Sequence, residues 1–207
     1  FGAPEAINSP VTILLTGTDE SGNQTTVPVE VTVIDPVPTA LCKDLVVELD
    51  ANGSVSISAE DIDNGSSSLV GIESLTLDQS VFNCSNLGQN TVTLTVTSTL
   101  GSTATCTATV TVEDNIAPTV TCPANITANT APGLCGTNVD FAAQVTDNCN
   151  QTTLTYIPES GSFFPTGSTT VMVTATDASG NSSTCSFSVE VIDNELPSIS
   201  CPFDITV

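Results

Sequence analysis

The sequence predicts an all-β fold in which antiparallel β-sandwiches are repeated along the chain and stacked end to end as a rod. Three features predict it: a repeat of fixed length, an alternation of apolar and polar residues within each repeat, and turn residues between the alternating segments. Gly, Asn, Asp and Pro cluster between those segments and helical periodicity is scarce, which favours sandwiches of about seven short strands.

The repeat has a period of 79 residues. Cys106 and Cys185 are one period apart, as are Asp114 and Asp193. A spacing shared by unrelated residue types indicates copies of one structural unit. The predicted domains are the C-terminal part of a preceding repeat at 1–36, two complete repeats at 37–115 and 116–194, and the start of a following repeat at 195–207.

Alternating apolar residues identify the buried face of each repeat. In the 116–194 repeat, Val171 and Val173 precede a turn and Phe187 and Val189 follow it, and the two members of each pair are two positions apart. A period of two with β-branched residues is typical of strands buried on one face. Short linkers containing Pro join the repeats, and Pro favours extended conformations, so we expect units to stack with an advance of roughly 30 to 40 Å each.

The charge balance excludes several classes of function. The chain has 23 acidic residues against one Lys, with no Arg and no His, and a net charge of −22. Nucleic acids and anionic membranes need clustered cations, so we expect neither as a partner. No run of apolar residues is long enough for membrane insertion. Without His or Arg there is no evident base or oxyanion stabiliser, so we expect no enzymatic activity.

Residues 116–194 resemble the HYR (hyalin repeat) family, an Ig-like module of extracellular adhesive proteins. The matching segments are PTVTCPANIT, LCGTNVDF, TDNC and the closing TDASGN and TCSFSVEVID. Residues 37–115 resemble the HYR-like repeats of very large surface adhesins of gliding bacteria, which are secreted by the type IX system. The resemblance implies Ig-like sandwiches in a structural or adhesive segment of an extracellular, cell-surface filament that serves gliding motility or attachment.

A second function is a ligand-binding module for carbohydrate or a partner protein, which would use loops at one end of a sandwich. An exposed aromatic cluster would favour it, and Phe163 with Phe164 is the candidate pair. We expect Phe164 in the core and Phe163 at a loop or edge. The partners expected for the first function are neighbouring repeats of the same chain, surface polysaccharide or another surface protein.

Eight cysteines in a chain without His indicate an oxidising, extracellular compartment. The four cysteines of the 116–194 repeat allow three pairings, and the resemblance implies one of them, together with one bond in the 37–115 repeat. The implied bonds join Cys42 to Cys106, Cys122 to Cys185, and Cys135 to Cys149. In the 37–115 repeat, SSLVGI replaces the DNC of similar repeats, which leaves Cys84 as a spare thiol. Cys201 is also predicted to be unpaired.

Three acidic clusters are candidate calcium sites, although no cofactor is required. Asp61 and Asp63 lie in AEDIDNGS, where neighbouring carboxylates repel one another unless a positive charge is present. Asp177 begins a turn of the form D-x-S-G-N, where its side chain either caps the turn or binds calcium. Asp114 and Asp193 lie at repeat boundaries that are similar to the calcium-stiffened linkers of cadherins. We expect calcium to raise the melting temperature.

Overall fold

In a computed structural model, the structure describes residues 10–32 and 36–197, most of which are in β-strands. The chain divides into two compact units. The first comprises Phe1–Glu48 with Ser54–Glu113, and the second comprises Leu49–Gly53 with Asp114–Val207. The repeat boundaries given by the sequence remain predictions. Within the described residues, no helix is both long and apolar enough to cross a membrane.

The first unit contains eight strands and two short helices in its described part. They are β1 (Pro10–Thr18), β2 (Gln24–Thr32), β3 (Leu45–Glu48), β4 (Ser54–Ser56), α1 (Ala59–Ile62), β5 (Ile72–Leu77), β6 (Val81–Asn83), a 3₁₀ helix (Cys84–Asn86), β7 (Gly88–Ser98) and β8 (Thr103–Glu113). A four-stranded sheet has the order β3-β8-β7-β5, a two-stranded sheet joins β4 to β6, and β1 pairs with β2.

The described part of the second unit contains eight strands. They are β9 (Thr119–Thr121), β10 (Ile126–Asn129), β11 (Gly136–Asn138), β12 (Gln144–Thr146), β13 (Thr152–Ile157), β14 (Phe163–Pro165), β15 (Gly167–Asp177) and β16 (Ser182–Ile192). The main sheet has the order β10-β16-β15-β13, and two-stranded sheets join β11 to β14 and β12 to β9. The strand pattern confirms the predicted all-β, sandwich-type fold.

The alternating residues form the core, as predicted. In β15 and β16 the side chains of Val171, Val173, Val189 and Val191 are at most 2% exposed. Phe164 is fully buried among them, whereas Phe163 is 51% exposed, so the predicted roles of the two rings are confirmed. In the first unit, β7 and β8 bury their equivalent Val, Leu and Ala side chains in the same way.

One pairing in each unit differs from the antiparallel prediction. β3 pairs parallel to β8, and β10 pairs parallel to β16, over four residues each. The chain of the second unit first pairs in the small sheet through β9 and then changes sheets to β10, with Pro123 in the connection. Pro has no N–H to donate to a ladder, so it suits this change of sheet. Period-two alternation is the same in parallel and antiparallel strands, so the sequence did not distinguish them.

Candidate functional site

Three carboxylates of the second unit lie together at one end of its main sheet. Asp177 ends β15, Asp147 follows β12, and Asp114 precedes β9. One carboxylate oxygen of each lies within 4.8 Å of the corresponding oxygens of the other two. The structure therefore brings together two of the predicted calcium ligands, Asp114 and Asp177, with a third residue, Asp147, that the sequence analysis did not select.

The Asp177 side chain is fixed by the turn between β15 and β16. Its Oδ1 accepts a hydrogen bond from the Asn181 N–H at 2.8 Å, and its Oδ2 accepts one from Asn181 Nδ2 at 2.9 Å. Gly180 has a φ of 93°, a conformation that Gly adopts without strain. The expected turn-capping role of Asp177 is thus confirmed, and its carboxylate, 7% exposed, is directed into the cluster.

Asp114 is 5% exposed and is held on two sides. Its Oδ1 accepts hydrogen bonds from the Ile116 N–H at 3.2 Å and from Asn148 Nδ2 at 3.1 Å. Its backbone carbonyl accepts a 2.8 Å hydrogen bond from Asn181 Nδ2, the amide that also binds Asp177. Its Oδ2 is buried and has no hydrogen-bond partner among the described residues. A buried acceptor without a partner costs about 1 to 3 kcal/mol, more when charged.

Asp147 has a raised pKa and one carboxylate oxygen without a hydrogen-bond partner within residues 10–32 and 36–197. Its Oδ2 accepts a hydrogen bond from the Cys149 N–H at 3.1 Å, whereas its Oδ1 is buried without a partner in the described part of the chain. Burial raises the pKa of Asp147, and the charges of Asp114 and Asp177 raise that pKa further. Asp147 also lines a surface cleft of about 290 Å³ together with Ile116, Thr119 and other residues.

Repulsion within the cluster is large. At a separation of 4.8 Å and an effective dielectric constant of about 20, each ionised pair costs about 3.5 kcal/mol, or about 10 kcal/mol for three pairs. The chain has a single Lys and no Arg or His that could offset this charge. That residue, Lys43, lies in the first unit, where the pKa values of Asp61 and Asp63 are lowered mainly by hydrogen bonds to Ser58 and Ser66 and to a smaller extent by Lys43. A bound cation would relieve the repulsion within the cluster.

The other predicted calcium ligands serve as local caps. The Asp61 carboxylate accepts hydrogen bonds from the N–H and hydroxyl of Ser58 at the start of α1, and these bonds lower its pKa. The Asp63 carboxylate accepts from the N–H groups of Gly65 and Ser66 in the following turn. Hydrogen bonds to Ser66 lower the pKa of Asp63. A calcium role for this pair remains a prediction.

Asp193 lies at the opposite end of the second unit from Asp177. Its Oδ1 accepts hydrogen bonds from the Glu195 N–H at 3.0 Å and from the Thr130 hydroxyl at 3.5 Å. The Glu195 carboxylate in turn accepts from the Gly133 N–H at 2.9 Å. The eleven residues of β16 separate this end from the carboxylate cluster by about 35 Å. Asp114 and Asp193 therefore do not share one site.

Two disulfide bonds match those implied by the resemblance. Cys42 is bonded to Cys106 with a Cα–Cα distance of 5.8 Å, and Cys122 is bonded to Cys185 with a distance of 5.9 Å. Each bond ties a residue near the start of a predicted repeat to its last long strand. Cys201, predicted to be unpaired, lies outside the described residues.

The other two cysteine predictions are wrong. Cys135 is free and exposed, whereas Cys149 is disulfide-bonded, so these two residues are not joined. Cys84, predicted to be a spare thiol, is also disulfide-bonded. The 37–115 repeat lacks the DNC segment that would supply the expected partner of Cys84. That absence removes one partner, but it does not prevent Cys84 from bonding to another cysteine.

The geometry of β15 explains why Cys135 and Cys149 cannot bond. The carbonyl of Cys135 accepts a hydrogen bond from the Thr166 N–H, one residue before β15 begins. The carbonyl of Cys149 accepts one from Gln151, next to the β13 residue that pairs with Asp177, where β15 ends. β15 has eleven residues and is about 35 Å long, whereas a disulfide needs Cα atoms about 4.4 to 6.8 Å apart.

Comparisons with known proteins agree with this architecture. Residues 113–191 match the HYR domain family. The chain is also similar to hyalin of Strongylocentrotus purpuratus, with 33% identity over 193 residues that cover 88% of this chain and 16% of hyalin. The segment 113–191 is therefore similar to HYR-type repeats, and the chain spans about one sixth of the relative it matches.

Two solved structures align with most of the chain at low TM-scores. The four-domain segment EC1-4 of Drosophila N-cadherin has a TM-score of 0.44 at 12% identity, covering 90% of this chain and 58% of that one. Immunoglobulin domains 1-4 of Sidekick-1 have a TM-score of 0.41 at 10% identity, covering 89% and 59%.

Proposed function

We propose that this chain is a load-bearing repeat segment of an extracellular, cell-surface adhesive protein. Disulfide bonds support an oxidising, extracellular location, and the HYR match supports the class of repeat. The observation that carries the proposal is where the two disulfides lie: Cys42–Cys106 and Cys122–Cys185 enclose most of the predicted repeats 37–115 and 116–194.

The disulfides shield the enclosed residues from force applied at the ends of a repeat. Force entering near residue 116 crosses the Cys122–Cys185 bond and leaves near residue 194, so the residues between the two cysteines carry no tension. About 15 residues remain extensible, or about 50 Å at 3.6 Å per residue, against about 280 Å for the whole repeat. The protein would thus lengthen very little under load.

The parallel pairing of β10 with β16 would also limit extension under load. These are the first and last strands of the main sheet in chain order. Once the disulfide is reduced and no longer bypasses β10, tension on the two ends pulls β10 and β16 along their length in opposite directions, so the hydrogen bonds between them are loaded together in shear. The same holds for β3 and β8 in the first unit. Bonds loaded together must break together, which resists force better than opening a ladder one bond at a time.

Under this proposal, repeats joined end to end form a filament. The filament makes its adhesive contacts with other repeats of the same protein, with surface polysaccharide or with another surface protein. Many weak contacts along one filament raise avidity without a strong single site. Gliding motility or attachment is the cellular role that such a filament would serve.

Single-molecule force spectroscopy of the 207-residue chain, pulled from its two ends, tests the load-bearing role. The oxidised chain is expected to show no unfolding step longer than about 50 Å. After reduction, each repeat should release about 250 Å, which is the extended length less a folded length of roughly 35 Å. Steps of about 250 Å in the oxidised chain would overturn the proposal.

A further inference from the structure

We propose that Asp114, Asp147 and Asp177 bind one calcium ion in the second unit, a property that goes beyond the load-bearing role. The three carboxylates lie within reach of a single ion. Oδ2 of Asp114 and Oδ1 of Asp147 are buried and accept no hydrogen bond from the described residues, and the Asp114 side chain is 5% exposed. A buried charged oxygen without a partner indicates a missing ligand at that position.

Asp177 remains able to bind an ion although both of its oxygens accept hydrogen bonds from Asn181. Each carboxylate oxygen has about two lone-pair sites, and the hydrogen bonds from Asn181 occupy one site on each oxygen. The Asn181 amide also donates to the Asp114 carbonyl, so one side chain fixes the positions of two ligands. A pre-positioned site binds a cation without the cost of ordering its loops.

The donor atoms indicate a hard divalent cation. All three side chains offer oxygen, the chain has no His, and the neighbouring Cys149 is disulfide-bonded. Calcium accepts six to eight oxygen ligands in irregular geometry, whereas magnesium requires a near-ideal octahedron and keeps most of its water. Three carboxylates from separate loops, with a cleft beside Asp147 that admits water, suit calcium better.

The first unit provides an internal comparison. Ser98 ends β7 at the position where Asp177 ends β15. Its hydroxyl accepts hydrogen bonds from the N–H groups of Leu100 and Ser102, so the turn forms without a carboxylate. The proposal therefore predicts one calcium ion, in the second unit, and it provides a variant, Asp177→Ser, that removes a ligand while keeping a turn that this fold already uses.

The test is isothermal titration of the full oxidised chain with calcium, together with melting curves in calcium and in chelator. The matched control is Asp19→Asn, because Asp19 caps the same type of turn through Asn23 but is exposed. We expect wild type and D19N to bind one calcium ion, and Asp147→Asn and Asp177→Ser to lose at least tenfold in affinity. At a calcium concentration a hundredfold above Kd, the melting temperature of the second unit should rise by about 10 to 20 °C in the wild type.

The sign of the Asp147→Asn effect separates a calcium site from a cluster that simply holds a proton. In chelator D147N should melt above the wild type, because it removes repulsion, and in calcium the order should reverse. The proposal would be overturned if the wild type did not bind calcium, or if D147N and D177S bound calcium as tightly as the wild type. Magnesium is expected to bind at least tenfold more weakly, and equal binding of both ions would contradict the assignment to calcium.

Discussion

Removing the Cys122–Cys185 bond should destabilise the second unit more than almost any other pair of substitutions. The bond closes a loop with a sequence separation of 63 residues. The chain-entropy relation gives about 4.3 kcal/mol for a loop of this length, because the open chain gains freedom in the unfolded state. Small domains are stable by about 5 to 15 kcal/mol, so the Cys122→Ala, Cys185→Ala variant would keep only a small part of that margin.

Urea unfolding followed by hydrogen exchange and mass spectrometry resolves the two units by their peptides. The variant should lose about 4 kcal/mol in the second unit, and its m-value should rise because the unfolded chain exposes more surface. The matched control, Cys42→Ala with Cys106→Ala, should lose a similar amount in the first unit, where the separation is 64 residues. A loss below about 1 kcal/mol in the targeted unit would refute the entropic reasoning.

Two further predictions concern packing and pH. Phe164→Ala should cost about 3 to 5 kcal/mol because the ring is fully buried, while Phe163→Ala, at a half-exposed ring, should cost less than about 1 kcal/mol by the same urea measurement. The Thr93 N–H donates to the Asp78 carboxylate at 2.8 Å and lowers its pKa. The carboxylate therefore stabilises the fold above its unfolded pKa of about 3.9 and loses that effect as pH falls through the lower folded pKa. Asp78→Asn should cost about 0.5 kcal/mol at pH 7, since the site is exposed, and the difference from wild type should vanish by pH 2; a difference that persists there would contradict this.

The sequence predicted the core well because burial leaves a direct trace in it. Val171, Val173 and Ala175 occupy every second position of β15, and a strand with one buried face requires that spacing. Phe164 was also predicted to lie in the core and Phe163 at a loop or edge. The parallel pair of β10 and β16 was not predicted, because alternation carries no information on strand direction.

The candidate site was predicted in part. Asp114 and Asp177 were selected from two different patterns, a boundary and a turn, and no local pattern shows that residues 63 positions apart share one site. Asp147 was missed although it lies in the TDNC segment, whose cysteine drew attention to bonding instead. The wrong Cys135–Cys149 bond was implied by the resemblance, which carries no information on the length of β15 that separates the two residues.

The most direct test of the central claim is the radius of gyration of the chain in solution by small-angle X-ray scattering. We propose that repeats of one β-sandwich unit are joined end to end. With an advance of roughly 30 to 40 Å per repeat, the chain would be a rod about 90 Å long with a radius of gyration of about 26 Å. A value near 17 Å, expected for a single globule of this length, would contradict the account.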